Sequence, residues 1–314
     1  MKKSFVFPGQ GSQKVGMGKE IYESFRSAKD VFEEVNDSLS KKLSDIIFNG
    51  PNEKLTLTEN AQPAIMTISM AVIKVLEIDF KINLKERINY FAGHSLGEYT
   101  ALAAAKSLSL SDVAKILFFR GKHMQKCTNQ NKTAMAAFMG ADISKIKDIA
   151  NKFSSNNLVC DIANYNTDNQ IVLSGDEKAI DKAMIEAKKQ NIKALRLAVS
   201  APFHSAYMKD TAQALKEEFQ KYIFNIPNVK IISNVGAKPF TDEKDIIDNL
   251  VIQTYSTVRW YESIKFIQEQ NTNSFYEIGF GKTLCGIIKR IDRNCLTRGV
   301  CDPAEIENLA KEII

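Results

Sequence analysis

The chain has few cysteines, and they lack the pairing that disulfide frameworks and zinc sites need. Their number is odd, and no two of them are spaced as C-x-x-C. The cysteines are Cys127, Cys160, Cys285, Cys295 and Cys301. This pattern excludes a disulfide-stapled secreted domain, predicts no metal site and favours a reducing compartment.

Long apolar runs and charge tracts are also missing. No stretch has eighteen uninterrupted apolar residues, and Met1 to Phe7 passes into a strand pattern without the apolar core of a signal peptide. We therefore expect a cytoplasmic protein that does not bind membranes. The net charge of +5 comes from 42 basic and 37 acidic residues that are scattered along the chain. Nucleic acid is therefore not an expected partner.

The remaining composition is that of an ordinary globular protein with a sizeable core. The chain has 314 residues, of which 44% are hydrophobic and 25% charged. Apolar strand patterns alternate with helical ones, which is typical of a parallel α/β sheet, but residues 133–199 follow the order β-α-β-β-α-β of a ferredoxin-like unit. We predict an α/β fold with a hydrolase-like parallel-sheet core at 1–130 and 200–314, and an inserted ferredoxin-like subdomain at 131–199.

The most informative stretch is Gly93-His94-Ser95-Leu96-Gly97, which has the G-x-S-x-G pattern. The apolar run Ile88 to Ala92 precedes it and an alanine-rich helical pattern follows, so the context is strand, sharp turn and helix. In a nucleophile elbow the serine hydroxyl is exposed at the end of a strand, beside the positive end of a helix. Ser95 is therefore a candidate nucleophile, and the alternative is a tight turn with an exposed serine.

A serine needs a base to take its proton, and the chain has only three histidines. His94 is the neighbour of Ser95 and cannot easily turn back to its hydroxyl, and His123 lies on an ordinary helix face. His204 follows a strand and comes after Ser95 in sequence, as the base does in other elbow enzymes. By elimination, His204 is the predicted base. Six aspartates between Ser95 and His204 lie in the predicted subdomain, so the group that orients the base need not be a carboxylate; they are Asp142, Asp148, Asp161, Asp168, Asp176 and Asp181.

The glycine loop after the first strand does not predict nucleotide binding. Gly11 to Gly16 is followed by Met17, where a phosphate-binding P-loop needs Lys and Ser or Thr. The third glycine of a dinucleotide-binding loop is missing as well, since Lys14 stands in its place.

Several motifs in the same order make the chain resemble the malonyl-CoA:acyl carrier protein transacylases over nearly its whole length. They are Phe7-Pro8-Gly9-Gln10-Gly11-Ser12-Gln13, Gln62-Pro63-Ala64, Gly93-His94-Ser95-Leu96-Gly97-Glu98-Tyr99, Arg120-Gly121-Lys122, Ala163-Asn164-Tyr165-Asn166, Pro202-Phe203-His204 and Gly279-Phe280-Gly281. That family also has a ferredoxin-like insertion.

The resemblance implies a role for each matching residue. Ser95 would be the nucleophile that is malonylated, and His204 the base and later the acid. The backbone N–H groups of Gln10 and Leu96 would form the oxyanion hole. Arg120 would bind the malonyl carboxylate with its two-pronged guanidinium, and the main-chain carbonyl of Gln253 would orient His204 in place of an acid.

The implied reaction moves malonyl from malonyl-CoA to the phosphopantetheine thiol of an acidic, transiently bound acyl carrier protein, supplying fatty acid biosynthesis. No metal or redox cofactor is expected, and we expect a monomer. The alternatives are an acyltransferase acting in trans for a polyketide assembly line, a serine thioesterase or esterase with water as acceptor, and a non-catalytic module that binds carrier proteins.

Overall fold

The larger of two sheets is built from five parallel strands. The computed structural model describes residues 2–126, 132–155, 157–199 and 201–313. In spatial order the strands of the first sheet are Lys230–Ile232 (β7), Tyr90–Gly93 (β2), Lys2–Phe7 (β1), Thr272–Ile278 (β8) and Leu296–Val300 (β9). Every neighbouring pair is parallel, as the alternation of strands and helices predicts.

The second sheet is antiparallel and has the order β4-β5-β3-β6. Its strands are Thr133–Met139 (β3), Cys160–Thr167 (β4), Gln170–Asp176 (β5) and Lys193–Arg196 (β6), and its helices are Ile143–Phe153 (α9) and Glu177–Lys189 (α10). A separate apolar core lies between these helices and the sheet. The predicted fold class, a parallel-sheet core with a ferredoxin-like insertion, is confirmed. The predicted domain boundaries involve residues 130, 131 and 200, which lie outside the described ones, and they stay a prediction.

The other described α-helices belong to the larger part of the chain, which contains the parallel sheet. They are Lys19–Ser24 (α1), Arg26–Leu39 (α2), Leu43–Asn49 (α3), Asn52–Thr56 (α4), Thr58–Lys74 (α5), Leu84–Arg87 (α6), Leu96–Ala104 (α7), Leu110–Lys126 (α8), Lys209–Phe219 (α11), Glu243–Gln253 (α12), Trp260–Glu269 (α13), Thr283–Ile291 (α14) and Pro303–Ile313 (α15). A π-helical turn, Val75–Asp79, extends α5.

Helix α5 is the central helix of the main core. With its π-helical extension it spans Thr58–Asp79, and by length and composition alone it is apolar enough to cross a membrane. However, 83% of its most apolar stretch is buried inside the protein. A helix that is hydrophobic on all sides is expected where other elements surround it, and α2, α7 and α8 pack around this one.

The register of the parallel strands brings three loops to one edge of the sheet. Phe7 at the end of β1 pairs with Gly93 at the end of β2, and Ala92 pairs with Ile232 at the end of β7. The loops that follow these three strands therefore start side by side. Clefts at the carboxyl ends of parallel strands are the usual ligand sites of such sheets. Two motifs of the resemblance lie here: the one that begins at Phe7 follows β1, and the one that begins at Gly93 follows β2.

Candidate active site

Ser95 occupies the sharp turn between β2 and α7. Its backbone has φ 55° and ψ −107°, a strained conformation for a residue with a side chain, of the kind that is concentrated at functional sites. A Cβ on Gly97 would overlap the carbonyl of Phe7, so only glycine lets α7 pass this close to β1. The structure thus has the predicted nucleophile elbow.

His204 lies against the Ser95 hydroxyl and is almost completely buried. Its Nε2 is 2.8 Å from Ser95 Oγ, and its Nδ1 is 2.8 Å from the main-chain carbonyl oxygen of Gln253. A carbonyl oxygen only accepts, so Nδ1 carries the proton and Nε2 is left to accept from the serine. Like Ser95, His204 has a positive φ, 57°. The structure brings the predicted nucleophile, base and orienting carbonyl together in one chain of hydrogen bonds.

The surroundings of His204 keep its imidazole neutral. Burial and, next to it, the positive charge of Arg120 lower its pKa to about 3, while the hydrogen bond to Gln253 acts in the opposite direction. A neutral imidazole is the form that can take a proton from serine. The base is therefore ready at neutral pH.

Arg120 projects from α8 into the same site and is 1% exposed. Its Nη2 donates to Ser95 Oγ over 3.1 Å and to Gln253 Oε1 over 3.0 Å, and its Nη1 donates to Gln62 Oε1 over 2.9 Å. The guanidinium carbon lies 5.3 Å from the centre of the Tyr99 ring. A buried guanidinium next to the nucleophile is a ready partner for an anionic group on the substrate.

The position of Arg120 depends on close packing between α8 and α5. A Cβ on Gly121 would overlap the main chain at Thr58 and Glu59, so the glycine allows α8 to approach the start of α5. This approach brings Arg120 to Gln62 on α5. The Arg120-Gly121 and Gln62-Pro63 motifs are therefore two sides of one helix contact.

Gln10 and Leu96 line a cavity of about 450 Å³. This cavity is also lined by Ser95, Arg120 and His204. Leu96 is the first residue of α7, where backbone N–H groups have no partner within the helix. The structure thus places both candidate oxyanion residues at the cavity that contains the nucleophile.

The loop that follows Gln253 at the end of α12 pairs with the subdomain. Thr257 Oγ1 donates to the carbonyl of Ile162 over 2.6 Å, and the backbone of Val258 forms two hydrogen bonds with β4, to Ala163 and from Tyr165. The loop therefore joins the parallel-sheet core to the smaller sheet at the site.

Two polar residues that the sequence reasoning gave no role are hydrogen-bonded to the residues of the site. Asn234, which follows β7, accepts a hydrogen bond from Ser95 N over 2.8 Å and donates to the carbonyl of Gly93 over 2.7 Å. Glu98, on the first turn of α7, is fully buried. The signal for Asn234 was its position just after a strand that neighbours β2, and the signal for Glu98 was its place in the elbow motif.

His94, which was set aside as a base, joins the elbow to the subdomain instead. Its Nε2 is 3.0 Å from Asn166 Oδ1 on β4, and its ring packs on Trp260 with the ring centres 5.6 Å apart. Its side chain thus points away from Ser95 toward β4. Among the described residues, no group of three or more His, Cys, Asp or Glu side chains is arranged to hold a metal ion.

Comparison with known proteins agrees with this geometry. Residues 4–299 match the acyl transferase domain family. The chain is 42% identical to the malonyl CoA-acyl carrier protein transacylase of Bacillus subtilis over 98% of this chain and 95% of that protein. The crystal structure of acyl-carrier-protein-S-malonyltransferase from Bartonella henselae superposes with a TM-score of 0.96 at 44% identity, covering 100% and 99% of the two chains.

A further similar structure contains a carrier protein. It is a malonyl-transacylase in complex with its type II PKS acyl-carrier protein, with a TM-score of 0.94 at 32% identity, covering 99% of this chain and 100% of that one. The parallel sheet, the elbow serine and its histidine define an α/β enzyme of serine-dependent acyl transfer. The chain belongs to the acyl transferase domain family, among the malonyl CoA-acyl carrier protein transacylases.

Proposed function

We propose that this protein transfers the malonyl group from malonyl-CoA to the phosphopantetheine thiol of an acyl carrier protein, through a malonyl ester on Ser95, and so supplies fatty acid biosynthesis. One observation carries the proposal: Ser95 Oγ is hydrogen-bonded to both His204 Nε2 and Arg120 Nη2. One partner is a base that can activate the hydroxyl. The other is a cation that can hold a carboxylate on the acyl group.

In the first half-reaction the serine oxygen attacks the thioester carbonyl while His204 Nε2 takes the hydroxyl proton. The carbonyl oxygen becomes negatively charged, and the N–H groups of Gln10 and Leu96 would stabilise it. When the carbon–sulfur bond breaks, the CoA thiolate receives the proton from His204. The malonyl group is then an ester of Ser95, and His204 is neutral again.

The second half-reaction reverses these steps with a different thiol. His204 takes the proton of the phosphopantetheine thiol, the sulfur attacks the malonyl ester, and Ser95 leaves with the proton that His204 returns. The same oxyanion donors serve both directions because both pass through a tetrahedral intermediate at the same carbon. No metal or redox cofactor enters either half.

Arg120 would select the malonyl group by its terminal carboxylate. The guanidinium has five N–H donors, and in the structure three hydrogen bonds use its two terminal nitrogens. A malonyl carboxylate would take over the hydrogen bond that Nη2 now gives to Ser95, and with it a full negative charge would meet a buried positive one. An acetyl group offers no such partner and would leave the guanidinium uncompensated.

The partner and the setting of the reaction are part of the proposal. The names of the relatives include an acyl carrier protein, and one similar structure is a complex with one. We expect the carrier to be acidic and transiently bound, the enzyme to be a monomer, and the location to be the cytoplasm.

A second candidate pathway is polyketide synthesis, because the similar structure with a bound carrier comes from a type II PKS. The chemistry would be unchanged, and only the carrier protein would differ. Comparing rates with the fatty acid and polyketide carriers of the source organism would separate the two pathways.

Transfer to a carrier protein tests the proposal. The enzyme is mixed with malonyl-CoA and a carrier bearing phosphopantetheine, and the intact mass of the carrier is followed. The matched control is the same carrier without its prosthetic group. A malonyl-sized gain only on the phosphopantetheine form supports transfer, whereas free malonate at the same rate with or without carrier would make the enzyme a thioesterase.

A further inference from the structure

Glu98 is a carboxylate that is completely buried one turn after the nucleophile. It is 0% exposed, lies in the first turn of α7, and is absent from the lining of the cavity that holds Ser95. Burying an ionised carboxylate is strongly unfavourable unless hydrogen bonds and opposite charge compensate. The partners of this side chain therefore indicate why the fold keeps it.

Both oxygens of Glu98 accept from residues that hold the catalytic groups. Oε1 accepts from the backbone N–H of Asn234 over 3.0 Å, and Oε2 accepts from Nε2 of Gln253. Asn234 in turn accepts from Ser95 N, and Gln253 Nε2 also donates to Ser95 O over 3.0 Å. The strained turn at Ser95 is thus attached on both sides to residues that Glu98 fixes.

The charges around Gln253 leave its side-chain amide a single orientation. Arg120 only donates and an ionised Glu98 only accepts, so Oε1 must face Arg120 and Nε2 must face Glu98. The amide therefore lies between a buried positive charge and a buried negative charge. No ion pair within the described ranges includes Arg120, which makes this indirect link through Gln253 its connection to Glu98.

We propose that Glu98 is a positioning residue for acyl transfer: through Gln253 it holds the carbonyl that orients His204, and through Gln253 and Asn234 it holds the turn at Ser95. In a Ser-His-Asp triad the carboxylate bonds directly to the histidine. Here Gln253 lies between His204 and the carboxylate of Glu98. Glu98 touches neither the substrate nor the reacting atoms. This role of Glu98 rests on the proposed function only because the reaction is called malonyl transfer. The hydrogen bonds of Glu98 concern the activation of Ser95, whatever the acyl group.

The ionisation of Glu98 makes this role visible in a pH profile. Burial raises its pKa to about 7, against the hydrogen bonds from Asn234 and Gln253 and the charge of Arg120. Arg120 on α8 and Tyr99 on α7 are the charged or titratable side chains within the described ranges whose field couples to Glu98. His204 has its pKa near 3 and stays neutral when Glu98 takes a proton. A fall in Ser95 reactivity as the pH decreases through about 7 therefore reports on Glu98.

The test uses two reagents that both modify Ser95. Malonyl-CoA requires the whole proposed function, whereas phenylmethanesulfonyl fluoride needs only an activated serine. The variants are Glu98→Gln, which keeps the volume but must place an amide donor opposite either Gln253 Nε2 or Asn234 N, and Glu277→Gln as matched control. Glu277 is also a fully buried carboxylate, held by Cys285 N over 2.8 Å, and no hydrogen bond within the described ranges joins it to Ser95, His204 or Gln253.

We expect Glu98→Gln to react at least about tenfold more slowly with both reagents, and without the acid-side fall of the wild type between about pH 6 and pH 8. Glu277→Gln should react like the wild type even where it unfolds earlier. A Glu98→Gln rate within about twofold of wild type, an unchanged acid-side fall, or an equal slowing in Glu277→Gln would overturn the inference. If the wild type reacts with the sulfonyl fluoride but never with malonyl-CoA, the proposed function fails while the role of Glu98 is still measured.

Discussion

The main-chain carbonyl of Gln253 accepts a hydrogen bond from Nδ1 of His204 over 2.8 Å. This position is usually taken by a carboxylate in serine enzymes with a catalytic triad. A neutral carbonyl fixes the imidazole tautomer but stabilises an imidazolium less than a carboxylate would. With Arg120 close by, the site contains a base that is neutral at rest and a cation that has no direct anionic partner among the described residues. This combination suits an acyl group that brings its own carboxylate.

Replacing Arg120 should change which acyl group Ser95 accepts. Hydrogen bonds to a charged group contribute about 1.5 to 3 kcal/mol each, so Arg120→Ala should lower the preference for malonyl-CoA over acetyl-CoA by roughly 10- to 100-fold. Arg120→Lys is the matched variant, because it keeps the charge but lacks the planar fork. Its preference for malonyl-CoA should lie between those of the wild type and Arg120→Ala. In a competition between the two thioesters, the ratio of malonylated to acetylated enzyme in the mass spectrum measures the preference. An unchanged ratio in Arg120→Ala would contradict the assignment.

The same substitution should raise the pKa of His204. The positive charge of Arg120 is the second cause of the lowered value, after burial, so its removal should move the pKa upward but leave it below the ordinary value near 6.5. The chain has three histidines, so their ring protons can be followed separately in an NMR titration, with His204→Gln identifying the signal. A His204 pKa that stays unchanged in Arg120→Ala would show that the charge does not act on the base.

Glu98 should make the stability of the fold depend on pH in a defined direction. Its folded pKa, about 7, is raised from 4.5, so between these values the folded state binds more protons than the unfolded one. Its contribution is therefore fully present below about pH 4.5 and is lost as the pH rises through about 7, by at most about 3 kcal/mol. Urea unfolding of wild type and Glu98→Gln across this range measures the difference. A difference in unfolding free energy that does not vary with pH would contradict the raised pKa.

Asn234 should matter for both folding and reactivity. Asn234→Ala leaves the N–H of Ser95 and the carbonyl of Gly93 without their partner, which costs about 1 to 3 kcal/mol for each buried group. The variant should therefore unfold earlier, and its Ser95 should react more slowly with malonyl-CoA. Asn249→Ala is a matched control, because Asn249 bonds to Ser233 and Asp245 and no hydrogen bond between described residues joins it to Ser95. Equal reactivity of Asn234→Ala and wild type at a temperature where both are folded would show that Asn234 does not support the reactivity of Ser95.

The elbow and the small subdomain were predictable because their signals are local. Glycine is required at 97, where α7 passes β1, and at 93, where the end of β2 meets α7. The order β-α-β-β-α-β predicted for residues 133–199 matches β3, α9, β4, β5, α10 and β6. Strand β9 was missed because Leu296–Val300 contains Arg298 and Gly299 and lies at the sheet edge, so it shows neither an apolar run nor alternation.

Other features depend on contacts between residues far apart in sequence. The spacing from Gly18 to Leu39 predicts one helix, but the chain breaks at Phe25, which is extended between α1 and α2. The role of Arg120 rests on contacts with Gln62 and Gln253, 58 and 133 residues away, and helical spacing alone gives no direction for its side chain. Glu98 lies in a helix in which every residue is buried. The sequence pattern of this helix does not show whether its charged residue is buried or exposed to solvent.

The central claim is that Ser95 carries the malonyl group. The most direct measurement is the intact mass of the enzyme after brief mixing with malonyl-CoA, with acetyl-CoA and Ser95→Ala as controls. The account predicts a malonyl-sized gain on the wild type, little or no acetyl adduct, and no gain on Ser95→Ala. A malonyl adduct that persists on Ser95→Ala, or malonyl-CoA consumed without any adduct on the wild type, would contradict it.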